Sequence, residues 1–222
     1  MQALAVPGFG DAVVSLPIGT TRKRPVLVAA HGNYDRPEWQ CETWRSTLAT
    51  RSLSAFVLCP RGVTRPDSPS PTDIRFTYAS GASLKAELEA GRAALSARWP
   101  EFVDDGSVVY AGFSLGAIYG VSFILADPAR APRVVLTEGG HDPWTASAIA
   151  TFAKKGGLRV LFACGQPSCV STAFAIVAAM RPSVSAKVVH GRAVGHGYDG
   201  AVADAIAEQF DWLVEGDSRF AP

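Results

Sequence analysis

The sequence predicts an α/β fold, with a mostly parallel sheet carrying helices on both faces. Three observations point there. Strand-like apolar runs alternate with helix-period runs from about residue 11 to residue 213. The strand runs at 25–30, 55–58, 133–137 and 158–163 are apolar almost throughout, as befits strands covered on both sides. Midway along the chain, a β-branched and aromatic run at 107–110 passes through a glycine-flanked serine into a helical pattern.

In order, residues 11–18 alternate in polarity and end at Pro17, which suits an edge strand. The run 25–30 then leads into His31-Gly32-Asn33-Tyr34-Asp35. Pro37 and Glu38 open a helix that carries Trp44 and Leu48. The buried strand at 55–58 precedes Cys59-Pro60-Arg61-Gly62. Residues 63–80 hold Pro66, Pro69 and Pro71 with little periodicity, which predicts a long loop. Leu84, Leu88, Leu95 and Trp99 form one helical stripe, stopped by Pro100. After the central serine and its helix come a strand at 133–137, a helix at 145–155 ending at Gly156-Gly157, and a strand at 158–163. A helix at 173–180 is stopped before Pro182 and followed by a strand at 184–189. The closing helix places Val202, Ile206, Phe210 and Leu213 on one face.

The 222-residue chain fits a single domain spanning 1–222. Its 21 basic and 20 acidic side chains leave a net charge of +1, so no electrostatic case exists for nucleic acid or an anionic membrane. No apolar run approaches the ~18 residues a bilayer span needs, and residues 1–9 lack the pattern of a signal peptide. A small or neutral partner follows, and a monomer is compatible with this surface.

Ser114 lies in the turn between strand and helix, with Gly112 and Gly116 around it in the G-x-S-x-G spacing of a nucleophile elbow. Such a turn is so tight that side chains at both glycines would meet backbone. It also leaves N–H groups at the helix start able to hold developing negative charge. A glycine- and serine-rich connection is the plain alternative. A serine hydroxyl needs a base, and of the four histidines His196, in Gly195-His196-Gly197 past the last strand, is best placed. His190 ends that strand, His31 braces the loop at Gly32, and His141 stands near acidic residues.

These stretches, His31-Gly32, Gly112-Phe113-Ser114-Leu115-Gly116 and Gly195-His196-Gly197, resemble the α/β-hydrolase fold family over residues 13–213. The likeness is to its small serine esterases: carboxylesterases, dienelactone-hydrolase-like and cutinase-like enzymes. It implies an oxyanion hole made by the backbone N–H groups of Leu115 and Asn33, each worth ~3 kcal/mol when aimed at the tetrahedral oxyanion. Many members place an Asp after the penultimate strand, but Gly165-Gln166-Pro167-Ser168-Cys169 offers no carboxylate. Some members place the acid one strand earlier. Glu138, at a strand end, is favoured over Asp142, with Asp199 as an outside candidate. Only about ten residues, 145–155, separate the strand ending near Glu138 from the next one, too few for a large lid. Tyr34, Trp144 and Phe113, with Trp39, Phe76 and Tyr78, are then the aromatic residues expected near the rim. The implied reaction is hydrolysis of a small-molecule or polymeric ester through an acyl-enzyme on Ser114, without metal or organic cofactor. Thioester or peptide cleavage by the same residues, or a scaffold that only binds, are the alternatives.

Cys41 with Cys59 and Cys164 with Cys169 are candidate disulfides. The segment between Cys164 and Cys169 is short and turn-prone, and Cys41 and Cys59 flank strands on one side of the sheet. Four buried thiols are the competing reading. Bridged cysteines imply a secreted or periplasmic protein, free ones a cytoplasmic protein.

Overall fold

The computed structural model describes residues 1–181 and 183–221. The chain runs β1 (Gln2–Leu4), β2 (Ala12–Ser15), β3 (Val26–Ala30), α1 (Pro37–Thr50), β4 (Phe56–Cys59), β5 (Val63–Thr64), β6 (Phe76–Thr77) and α2 (Gly81–Arg98). It continues with β7 (Val109–Phe113), α3 (Leu115–Ala126), β8 (Arg133–Thr137), α4 (Ala146–Lys154), β9 (Arg159–Cys164), α5 (Pro167–Met180), β10 (Ser185–His190) and α6 (Gly200–Val214). A 3₁₀ turn at Ser218–Phe220 follows.

Eight strands form one sheet in the order β1-β2-β4-β3-β7-β8-β9-β10. It is parallel from β4 to β10, and β1 and β2 add an antiparallel edge. The alternation within the apolar runs explains why both faces are covered. Val26, Val28, Tyr110, Val134, Leu136, Val160 and Phe162 face one core, lined by α2, α3, α4 and α5. Their neighbours Leu27, Ala29, Val109, Ala111, Val135 and Leu161 face a second core under α1 and α6, where Val202, Ile206, Phe210 and Leu213 pack. Burying a Val or Leu from either face contributes about 1.5–3 kcal/mol, which is why these strands tolerate no alternation of polarity.

Four elements depart from expectation. The three-residue β1 is too short to carry a period, and the proline-rich stretch contains the two-residue β5 and β6, paired antiparallel. Helix α5 begins at Pro167 rather than 173, because proline's fixed φ and missing N–H suit the first helical position. Pro182, read as its stop, lies outside the described residues.

The strand order reverses beside β3: its two neighbours are β4 and β7, so the loops leaving β3 and β7 diverge around a crevice. Register then sets the site. Ala30 pairs with Gly112, Phe113 with Thr137, Thr137 with Ala163, and Cys164 with His190. The loops after β3, β7, β8, β9 and β10 therefore emerge in a row at the carboxyl edge of the sheet.

Both cysteine pairs are bridged: Cys41 of α1 to Cys59 at the end of β4, with Cα atoms 5.9 Å apart, and Cys164 at the end of β9 to Cys169 of α5, at 5.6 Å. No large additional domain interrupts the described residues, and no helix among them is long and apolar enough to cross a membrane.

Candidate active site

Ser114 sits between β7 and α3 with φ of 48°, a left-handed conformation that costs a non-glycine residue about 1–3 kcal/mol. The surroundings hold it there. Its N–H donates to the Thr137 carbonyl (2.8 Å), its carbonyl accepts from Ile118 (2.9 Å), and the Gly116 N–H donates to the His31 carbonyl (3.1 Å). The glycines are required by contact: a Cβ on Gly112 would lie 2.7 Å from Ala117 backbone, and one on Gly116 would lie 2.4 Å from the Ala30 carbonyl oxygen. Tyr110, fully buried, donates its hydroxyl to the Gly116 carbonyl (2.6 Å) and braces the same turn from below.

The Ser114 hydroxyl is 2.9 Å from His196 Nε2, and His196 Nδ1 is 3.3 Å from Glu138 Oε2. A carboxylate accepts, so Nδ1 is the donor in that contact. Nε2 then presents its lone pair to the serine. The carboxylate is fixed far better than the imidazole. Glu138's side chain is 1% exposed against 47% for His196, and its backbone adopts φ of 55° immediately after β8.

The loop in which no acid was found supplies donors instead. Glu138 Oε1 accepts from the Gly165 N–H and from the Gln166 N–H (2.9 Å), and the Glu138 N–H donates to Ala163 (3.0 Å). Those two amides precede α5, so the carboxylate also lies at the favourable end of a helix dipole. Gly165 has no room for a side chain, since a Cβ would come within 2.2 Å of the Gly195 carbonyl oxygen. The acid-holding loop and the histidine loop are thereby packed backbone to backbone.

Of the other carboxylates considered, Asp142 is exposed and forms no hydrogen bond or ion pair with His196, and Asp199 is exposed at the start of α6. Leu115 is the first residue of α3, so its N–H has no carbonyl four residues back within the helix. On the facing loop, His31 is fully buried and stacked on Tyr78 at 4.5 Å. Its Nδ1 lies 2.7 Å from the Gly32 carbonyl and its Nε2 lies 2.9 Å from the Arg61 carbonyl. Because the peptide is trans, holding the Gly32 oxygen toward His31 turns the Asn33 N–H the opposite way. Gly32 passes so close that a Cβ there would be 3.3 Å from Ser114 Cβ. The Asn33 side chain turns aside to accept from Arg65 Nη1 (3.0 Å).

The aromatic rim needs correction. Trp144 is 5% exposed and packs against Phe152 (5.2 Å) and Phe162, because the turn after Pro143 folds it into the core. Phe76 and Tyr78 are buried too. Phe113 is 9% exposed and lies under the histidine loop, 5.2 Å from His196 and 4.6 Å from Tyr198 between ring centroids. Tyr34 is 37% exposed, with Arg65 and Arg75 over its ring and its hydroxyl donating to the Asp67 carbonyl. Trp39 is also exposed, at 42%.

His141, Cys164 and Cys169 cluster within 4.8 Å, but both sulfurs are spent in a disulfide, which leaves no thiolate for a metal.

No known family model matches the sequence, and no curated protein does. Solved structures do match. A fluorophosphonate-binding serine hydrolase of Staphylococcus aureus superposes with a TM-score of 0.65 at 13% identity, covering 96% of this chain and 97% of that one. A dienelactone hydrolase from Anabaena variabilis gives 0.61 at 13% identity over 96% and 94%. A Bacillus cereus carboxylesterase gives 0.57 at 17% over 91% and 93%. This is the α/β-hydrolase fold. In that fold the serine turn, the histidine loop and Glu138 fall at the carboxyl ends of β7, β10 and β8 respectively.

Proposed function

We propose that the chain forms one domain that hydrolyses carboxylic esters, with Ser114 as nucleophile, His196 as general base and Glu138 as the acid that orients it. The observation that carries this is the series Ser114 Oγ to His196 Nε2 (2.9 Å) and His196 Nδ1 to Glu138 Oε2 (3.3 Å). The structural neighbours, named as a serine hydrolase, a carboxylesterase and a dienelactone hydrolase, support the same reaction class.

In this reading the ester carbonyl lies over Ser114 with its oxygen toward the N–H groups of Leu115 and Asn33. Ser114 Oγ attacks as Nε2 takes its proton. The imidazolium so formed is stabilised by Glu138, which does not itself take up the proton. The proton passes to the leaving alcohol, and water, activated by the same imidazole, releases the acid. Two amides on Glu138 Oε1 keep the other oxygen aimed at Nδ1 through the cycle. The pair of disulfides fits residence in an oxidising compartment.

The test is p-nitrophenyl ester hydrolysis by wild type and three variants. Ser114→Ala abolishes turnover. Glu138→Gln lowers kcat by roughly 10³–10⁴-fold, as loss of the orienting carboxylate does in such triads. Asp142→Asn stays close to wild type. A large loss at Asp142 with a small one at Glu138 refutes the assignment.

A further inference from the structure

Asp35 is a buried carboxylate that the proposed reaction does not use. It is 5% exposed and, among the described residues, joins no ion pair. A buried carboxylate without a cation has to be held by hydrogen-bond donors. Three reach it, and they come from both sides of the site. Oδ2 accepts from the Gly32 N–H at 3.3 Å, and Oδ1 accepts from the Arg36 N–H at 2.7 Å and from the Tyr198 hydroxyl at 3.3 Å.

These contacts join two loops. Gly32 precedes Asn33, whose N–H faces away from His31 by the trans-peptide argument. Tyr198 lies two residues past His196. Asp35 is itself anchored, since its N–H and carbonyl pair with Phe76 of β6 at 3.3 and 2.9 Å. Elsewhere the histidine loop is held by its backbone packing against Gly165 and by the Gly191 N–H, which donates to the Cys164 carbonyl at 2.8 Å. It contains Ala193 and Gly195 with positive φ, and His196 is half exposed. Tyr198 packs edge-on against Phe113 at 4.6 Å, next to the serine turn. Burial first, and then the charge of Asp35, push its phenol well above the ordinary range, so the hydroxyl remains a donor. Behind it a cavity of about 10 Å³, lined by Gln40, Phe113, Thr137 and Tyr198 among others, leaves little space into which the ring can retreat.

We propose that Tyr198 and Asp35 are positioning residues: their hydrogen bond ties the loop of the general base to the loop of the oxyanion donors and sets the distance between them. The pair touches neither substrate nor Ser114 Oγ. It acts through His196 on one side and the Gly32–Asn33 peptide on the other. This rests on the esterase reading above. Attack needs base and oxyanion donors registered on the same carbonyl, so loss of the tie appears in kcat and not in substrate binding.

The experiment measures p-nitrophenyl acetate hydrolysis and fluorophosphonate labelling for wild type, Tyr198→Phe, Asp35→Asn, Asp35→Ala and Tyr198→Phe/Asp35→Ala, with thermal unfolding of each. Tyr198→Phe keeps the ring packing and removes one oxygen. It is expected to lower kcat about tenfold or more, the scale of a hydrogen bond to a charged group, with KM within about twofold. Asp35→Ala should match it, and the double variant should be no worse than the poorer single one. Asp35→Asn retains an acceptor for the hydroxyl and should recover much of the loss. Should Asp35→Ala fold poorly, Tyr198→Phe and Asp35→Asn still carry the comparison. Wild type labelled at Ser114 with Tyr198→Phe unchanged in kcat overturns the tie alone, and multiplying losses in the double variant do so as well. Wild type that is not labelled overturns the esterase reading and the tie together.

Discussion

The two disulfides should separate stability from turnover. Cys41–Cys59 closes a span of 18 residues and Cys164–Cys169 one of 5. Loop-closure entropy then makes the first worth about 3 kcal/mol and the second about 2 kcal/mol. For a chain of this size, unfolding midpoints fall by ~2–4 °C per kcal/mol. Cys41→Ala/Cys59→Ala should therefore lose more of its Tm than Cys164→Ala/Cys169→Ala, by about 2–4 °C. Turnover should rank the other way. The longer bridge joins α1 to the end of β4, whereas the shorter one closes the segment whose Gly165 and Gln166 amides hold Glu138 Oε1. Misplacing that carboxylate by about 1 Å costs up to ~10²-fold. Removing the shorter bridge should thus lower kcat about ten- to a hundredfold, while removing the longer one leaves kcat within about twofold. Differential scanning calorimetry and ester hydrolysis below both midpoints read the two effects. Equal kcat in the two double variants refutes the idea that the short bridge acts on Glu138.

Gly116→Ala should destabilise by about 3 kcal/mol, because the added Cβ meets the Ala30 carbonyl oxygen, which is backbone and cannot rotate away. Denaturant unfolding with no change in midpoint contradicts the packing described for the turn. Burial holds His141 below the ordinary histidine value of 6.5, outweighing the pull of Asp142 and Glu138. The folded protein therefore resists a proton that the unfolded chain accepts. The stability this contributes is fully present above pH 6.5 and is lost as pH falls from 6.5 through the lower folded value. His141→Gln should lose less stability than wild type over that range. Parallel stability-against-pH curves for the two proteins exclude the assignment.

Much of this arrangement was legible in the sequence, because burial on both faces of a parallel sheet leaves apolar runs, and β8 at Arg133–Thr137 coincides with the run read there. The serine turn was legible because sterics dictate its glycines. Glu138 was favoured in the sequence for its strand-end position, with Asp142 and Asp199 beside it as alternatives. What the sequence could not disclose is the register that brings Thr137 beside Ala163, and with it the Gly165 and Gln166 amides that hold Glu138. The rim failed for a related reason: an aromatic side chain reads alike in a core and at an opening, and Trp144, Phe76 and Tyr78 are in the core. Asp35 and Tyr198 stand 163 positions apart and share no local pattern, so only the folded chain discloses their contact. The nearest sequence signal was that each lies within a few residues of a motif.

The most direct measurement is mass spectrometry of the intact protein after brief mixing with an activated ester at acid pH, followed by peptide mapping. One acyl group is expected, carried on the peptide containing Ser114, absent from Ser114→Ala and decaying as the acid product appears. Ester hydrolysis with no adduct on Ser114, or an adduct that persists on another residue while turnover continues, would contradict it.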